Sequence, residues 1–220
     1  MVYKDIAAII LAAGESRRMG QSKLTLSWGE TTVLGQVVAT FAAAGIEEIL
    51  VVTGGARQPV EAAVAELARE FPVRAVYNPD YARGEMLSSL QRGLVDLSLP
   101  PLYPPISDLR NGGMKGGRRA TLIALGDQPQ VQESLVQRIC AAFTKTGKHL
   151  IVPSFQMRRG HPWLAARPLW PEILALPANQ TPSDFINAHS EDILYLPVKT
   201  DSILLDVDTP EDHERLKPRA

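Results

Sequence analysis

The residues Leu11–Lys23, LAAGESRRMGQSK, place two glycines, two arginines and a lysine in one short stretch behind an apolar run. Glycine lets a backbone approach a ligand closely and take positive φ, which Gly14 and Gly20 could both use here. Successive backbone N–H groups in such a turn can cradle phosphate oxygens, with Arg18 and Lys23 neutralising their charge. The stretch is not a Walker loop, because Ser22 rather than glycine precedes Lys23 and Leu24 follows it. It is not a GxGxxG fingerprint either, which argues against a nicotinamide-dependent oxidoreductase. A plain turn after a strand would need neither this much glycine nor this much positive charge.

Four further stretches carry residue types suited to the same chemistry. Asp127 stands in Leu125–Pro129, LGDQP, after an apolar run, where a carboxylate projects from a sheet's edge. Hard Mg2+ binds carboxylate and phosphate oxygens and keeps several waters, so one or two aspartates suffice. Asp206 and Asp208 lie in Leu205–Asp212, LDVDTPED. On a short strand they would face opposite sides, so only one of them could easily meet Asp127; the other would cap the helix that Pro210 begins. Ser88 and Ser89 lie in Gly84–Leu90, GEMLSSL, at the start of a helix whose free N–H groups favour an anion or a base carbonyl. Asn78 and Pro79 precede it. Last, Arg159–Pro162 reads RGHP, and His161 could touch an acceptor phosphate or merely shape a turn. The four histidines show no zinc-site spacing.

The elements that must position these residues alternate regularly. Ile6–Leu11 reads as a buried parallel strand, and Glu48–Thr53, Val73–Tyr77, Ala120–Leu125 and Leu150–Pro153 read as further strands. Helical periods fall between them at Thr32–Ala44, Gln58–Phe71, Glu85–Leu97 and Gln132–Phe143. Alternation of this kind predicts βαβ units in an α/β fold: a doubly wound, mostly parallel, Rossmann-like sheet that binds ligands beyond the carboxyl ends of its strands. After Pro153 the pattern shortens. A strand is expected at Trp163–Ala165, helices near Pro171–Leu176 and Pro182–His189, and a strand at Ile193–Val198. Leu204–Val207 and a helix at Pro210–Leu216 close the chain. One domain over residues 1–220 is expected, with the Pro- and Gly-rich stretch 99–119 as a solvated loop or a lid.

Composition narrows the partners. Hydrophobic residues make up 45% and charged residues 21% of the 220, which fits a packed core, and the formal net charge is −1. Nothing there calls for nucleic acid or a membrane surface. The one cysteine, Cys140, lies in an apolar helical period and reads as a buried thiol in a reducing, cytoplasmic setting. No signal-peptide pattern or run of ~18 apolar residues appears.

The pattern LAAGxSxRMGxxK in Leu11–Lys23, with LGDQP, LDVDTP, GEMLSSL and RGHP, resembles the MobA-like NTP transferase family across the chain. Within it the sequence is most similar to the molybdenum cofactor cytidylyltransferases, the guanylyltransferases of that cofactor being near cousins. The resemblance implies Mg2+-dependent transfer of CMP from CTP to the phosphate of molybdopterin, with pyrophosphate released. It implies nucleotide contacts from Leu11, Ala12, Ala13, Gly14, Ser16, Arg18, Lys23, Asn78, Gly84, Ser88 and Ser89. Arg18, Lys23 and Asp127 would be catalytic, Asp127 and Asp206 would hold the metal, and Gly160 and His161 would lie on the acceptor side. A client molybdoenzyme is a further implied partner. One departure is Glu85 and Leu87 within a glycine-methionine-serine-serine-leucine pattern. The guanylyl-transferring cousins carry a second glycine where Ala13 stands, which favours CTP over GTP here. A sugar or polyol phosphate acceptor is a second reading, and a non-catalytic cofactor carrier a third; loss of a metal aspartate would mark the carrier, and both are present.

Overall fold

In a computed structural model of the chain, residues 1–15, 20–83, 85–99 and 117–218 are described below. The first strand, β1 (Ile6–Ala12), is buried along its whole length, because an uninterrupted apolar run can be covered on both faces. Thr32 then caps α1 (Val33–Ala43), its hydroxyl accepting from Gly35 N at 3.0 Å. Just before it lies a hairpin of two short strands, β2 (Ser27–Trp28) and β3 (Thr31–Thr32), that the sequence reading lacks. The chain continues through β4 (Ile49–Thr53), α2 (Arg57–Leu67), β5 (Val73–Tyr77), α3 (Glu85–Ser98) and β6 (Ala120–Leu125). Helix α2 ends four residues short of the expected Phe71, its backbone tightening to bonds from Arg69 N to Glu66 O and from Glu70 N to Leu67 O before Pro72.

The second half comprises α4 (Glu133–Thr146), β7 (Leu150–Phe155), β8 (Arg158–Arg159) and β9 (Trp163–Ala166). It ends with α5 (Trp170–Ala175), α6 (Pro182–Ala188), β10 (Ile193–Pro197) and α7 (Pro210–Leu216). One mixed sheet takes the order β10-β7-β9-β6-β1-β4-β5, with β8 paired to β7. Strand β1 lies parallel to both β4 and β6, Ile10 facing Val51 on one side and Ala124 on the other. Strand β9 is antiparallel to β6 and β7. A parallel crossover needs a dozen or more residues, and the few between Phe155 and Trp163 allow only a return. The α/β fold with a mostly parallel sheet thus matches the sequence reading, with one reversed strand inside it.

Helices cover both faces. Ala8, Ile10 and Ala12 pack with α1, α2 and α4 on one side, while Ala7, Ile9 and Leu11 pack with α3, α5 and α6 on the other. Among the described residues no helix is long and apolar enough to cross a membrane. Leu204–Val207 corrects an expectation: residues 204–207 form no strand. The segment crosses the end of β6, where Val207 N donates to Asp127 O at 2.9 Å, instead of running along a neighbour.

Candidate active site

Strand β1 is flanked by β4 and β6, whose chain connections run in opposite directions from it, and ligands bind such sheets beyond the strands' carboxyl ends. There a cavity of about 570 Å3 opens, lined by Leu11, Ala13, Gly14 and Glu15 from β1 and its loop. Tyr81, Ala82, Met86 and Ser89 close one side; Leu125, Asp127, Asp206 and Asp208 close the other. The lips are tied together: Gly126 N donates to Leu11 O at 2.9 Å, and Gly55 N to Ala13 O at 2.9 Å. Gly54, buried after β4, is required by close approach, because a Cβ there would stand 2.6 Å from Ala13 O and 2.7 Å from Tyr81 Cβ.

The charged side chains meet at one point. Lys23 Nζ donates to Asp127 Oδ2 and, at 2.6 Å, to Asp208 Oδ1. Burial works against the ammonium, but the charge of Asp127 and the hydrogen bonds to both carboxylates outweigh it and raise the Lys23 pKa. Lys23 therefore stays cationic at neutral pH. Asp206 behaves in the opposite sense for a carboxylate. Burial and the neighbouring charges of Asp127 and Asp208 raise its pKa, against the opposing pull of a Gln128 hydrogen bond and of Lys23. Gln128 Nε2 stands 2.7 Å from Asp206 Oδ1.

Comparison with known proteins fits this geometry. The family model of the MobA-like NTP transferase domain matches residues 8–193, most of the chain. The chain belongs to the MobA-like NTP transferase family. It is 26% identical over 216 residues to the molybdenum cofactor cytidylyltransferase of Escherichia coli K12, covering 97% of this chain and 96% of the relative. The crystal structure of Rv0371c from Mycobacterium tuberculosis H37Rv superposes with a TM-score of 0.74 at 26% identity, covering 97% and 98% of the two chains. A manganese complex of Rv0371c superposes at 0.69, with 25% identity over 97% and 98%. The chain is accordingly a nucleotidyltransferase.

Set against that family, the residues singled out in the sequence divide into groups. Leu11, Ala13, Gly14, Ser89, Asp127 and Asp206 line the cavity, and Lys23 borders it through its two carboxylates. Ala12, Asn78 and Ser88 do not line it. Ala12 faces the core on the α1 side, and Asn78, 2% exposed, donates from Nδ2 to Ser88 and Ser89 hydroxyls at 3.0 and 3.1 Å. Asn78 and Ser88 thereby brace the loop that carries Tyr81 against α3. Ser16, Arg18 and Gly84, with 100–116 of the expected loop, lie outside the described residues.

Two expectations about the aspartates need correction. Asp206 and Asp208 both line the cavity, because they sit on an irregular segment without strand alternation. Asp208 does not cap α7; Thr209 does, in a capping box with Asp212. Gly160 and His161 line no part of the cavity. A Cβ at Gly160 would stand 2.4 Å from Ile203 O, and His161 N donates to that same oxygen at 3.2 Å, so this turn props up the aspartate segment from behind. Gly20 takes positive φ, at 67°, as expected, but Gly14 does not. Tyr81, Ala82 and Met86 were not singled out as individual residues, since apolar residues in a loop and a helix's first turn carry no chemical signature in sequence.

The donor set suits a hard divalent cation. Asp127, Asp206 and Asp208 converge on one cavity; burial first, and then the charges of Asp127 and Asp208, raise the pKa of Asp206, and a bound cation would offset that cost. Among the described residues no three of His, Cys, Asp or Glu stand in a ready coordinating cluster. Lys23 lies between Asp127 and Asp208, and a cation there would take two carboxylates with water and substrate oxygens.

Proposed function

We propose that this chain transfers CMP from CTP to the terminal phosphate of molybdopterin, with Mg2+ held by Asp127 and Asp206. The observation that carries the reading is the convergence of the Ala13-Gly14 loop, Lys23 and the two aspartates on one cavity. End-to-end likeness to a molybdenum cofactor cytidylyltransferase supports the choice of acceptor. An acceptor phosphate oxygen attacks the α-phosphorus in line and pyrophosphate leaves. A phosphate monoester is already nucleophilic at neutral pH, so no strong base is required, and catalysis rests on positioning and charge. Lys23, with Arg18, binds the triphosphate and stabilises the departing pyrophosphate. Asp127 and Asp206 supply carboxylate oxygens to the metal, and Ala13 presents its methyl to the base. The cation, when bound, neutralises phosphate charge.

The test incubates the enzyme with each NTP in turn, Mg2+ and either molybdopterin or a sugar or polyol phosphate, and measures pyrophosphate. Release with CTP at least ~10-fold more efficient than with GTP is expected. Release only with a sugar or polyol phosphate would transfer the reading to another acceptor. Release preferentially with GTP would move it to guanylyl transfer.

A further inference from the structure

Gln128 follows Asp127 beyond β6 and turns its side chain inward, where it is 3% exposed. Its amide nitrogen lies 2.7 Å from Asp206 Oδ1 and 3.5 Å from Ile203 O. A carboxylate and a carbonyl only accept, so nitrogen must be the end that faces them. Among the described residues, no protein donor meets the buried amide oxygen. An unsatisfied buried acceptor is destabilising, and methionine would fill a similar volume without one. The fold thus keeps a polar side chain where packing alone would favour an apolar one.

We infer that Gln128 is a positioning residue that holds the Asp206 carboxylate at the cavity wall and so sets the enzyme's affinity for its divalent cation. The inference rests on the metal reading of Asp206 given above. Asp206 belongs to an irregular segment, so no strand ladder fixes it, and Asp127 and Asp208 repel it. A carboxylate in that position swings away unless a donor restrains it. A lysine or arginine would restrain it too, but with a positive charge that competes with the cation. A neutral amide donor restrains the anion and leaves its charge available.

The experiment compares Gln128→Met, Asp206→Ala and the double variant. Mn2+ is titrated into each protein and the free ion followed by electron paramagnetic resonance, alongside melting temperature and CTP kinetics. Gln128→Met should melt no lower than wild type and bind Mn2+ about 10-fold more weakly. Its kcat should fall at limiting metal and recover at excess metal, with the KM for CTP unchanged. In the Asp206→Ala background Gln128→Met should add nothing, because its effect travels through that carboxylate. Wild-type Mn2+ affinity in Gln128→Met beside a defective Asp206→Ala would overturn the inference alone, and so would additive losses. Wild-type Mn2+ affinity in Asp206→Ala would overturn the metal reading and the inference with it.

Discussion

Asp127 is the residue on which the other charges of the site turn, since it pairs with Lys23, shares the cavity with Asp206 and Asp208, and anchors Val207 through its carbonyl. Asp127→Asn keeps the shape and the backbone anchor and removes only the charge. Turnover should fall at least ~100-fold, the scale of losing one preorganised electrostatic group, while the melting temperature stays close to wild type because Asp208 still pairs with Lys23. Steady-state pyrophosphate release and thermal unfolding check this together; full activity would remove Asp127 from the site. Ala13 decides a different quantity. It lines the cavity, and its Cβ would stand 2.7 Å from a Cβ placed on Gly54. In the proposed reading, the Ala13 methyl on the cavity wall takes space from a two-ring base. CTP should therefore exceed GTP by at least ~10-fold in kcat/KM, beyond the low end of what one methyl decides in a pocket. Ala13→Gly should erode that preference without reversing it, as Tyr81 and Met86 still line the same cavity. Equal use of both nucleotides by the wild type would sink the cytidylyl assignment and leave the fold standing.

Elements show how far the sequence could be read. Strands β1 and β6 were legible almost to the residue, because apolar runs buried on both faces have no other soluble home. The reversal of β9 was not, since antiparallel and parallel strands of the same burial carry the same residues. Lys23, Asp127 and the AAG turn were legible as chemistry, because their types and spacing are unusual. The placement of Asp206 with Asp208 was not, since alternation holds only where a strand exists. The role of Gly54 was equally hidden, its constraint coming from Ala13 and Tyr81, which lie far from it in sequence. That contact makes an element-level prediction. Gly54→Ala forces the end of β4 away from the β1 loop at a point where backbone, not a flexible tip, must move. It should destabilise the protein by about 1–3 kcal/mol and raise the KM for CTP more than it lowers kcat. Denaturant unfolding with kinetics tests it; unchanged KM with unchanged stability would show that the two loops can part freely.

At the scale of the molecule, the sheet's second half works as a support for the first. β7, β8 and the turn after them carry Gly160 and His161 under Ile203, and Ile203 begins the segment that delivers Asp206 and Asp208 to the cleft. His161 lets this support be probed by pH. Burial pushes its imidazole down from 6.5 to about 4, so the folded protein holds it neutral where the unfolded chain would protonate it. Between those two values the unfolded state binds the extra proton. Stability from this group is therefore complete above about pH 6.5, falls as pH drops towards 4, and levels off below. The shift corresponds to at most on the order of 3 kcal/mol, and to less in practice because His161 is not fully buried. Asp206 contributes with the opposite sign: its raised pKa makes the folded state bind a proton more readily, so its contribution weakens as pH rises. A single pH–stability curve would mix the two. The difference between wild type and His161→Asn isolates the histidine, since Asp206 is common to both. Urea unfolding at pH 7 and pH 4.5 should show the wild type losing more stability than His161→Asn, whose side chain does not titrate. Parallel losses in the two proteins would mean that His161 is solvated in the folded state and that the acid sensitivity of the turn lies elsewhere.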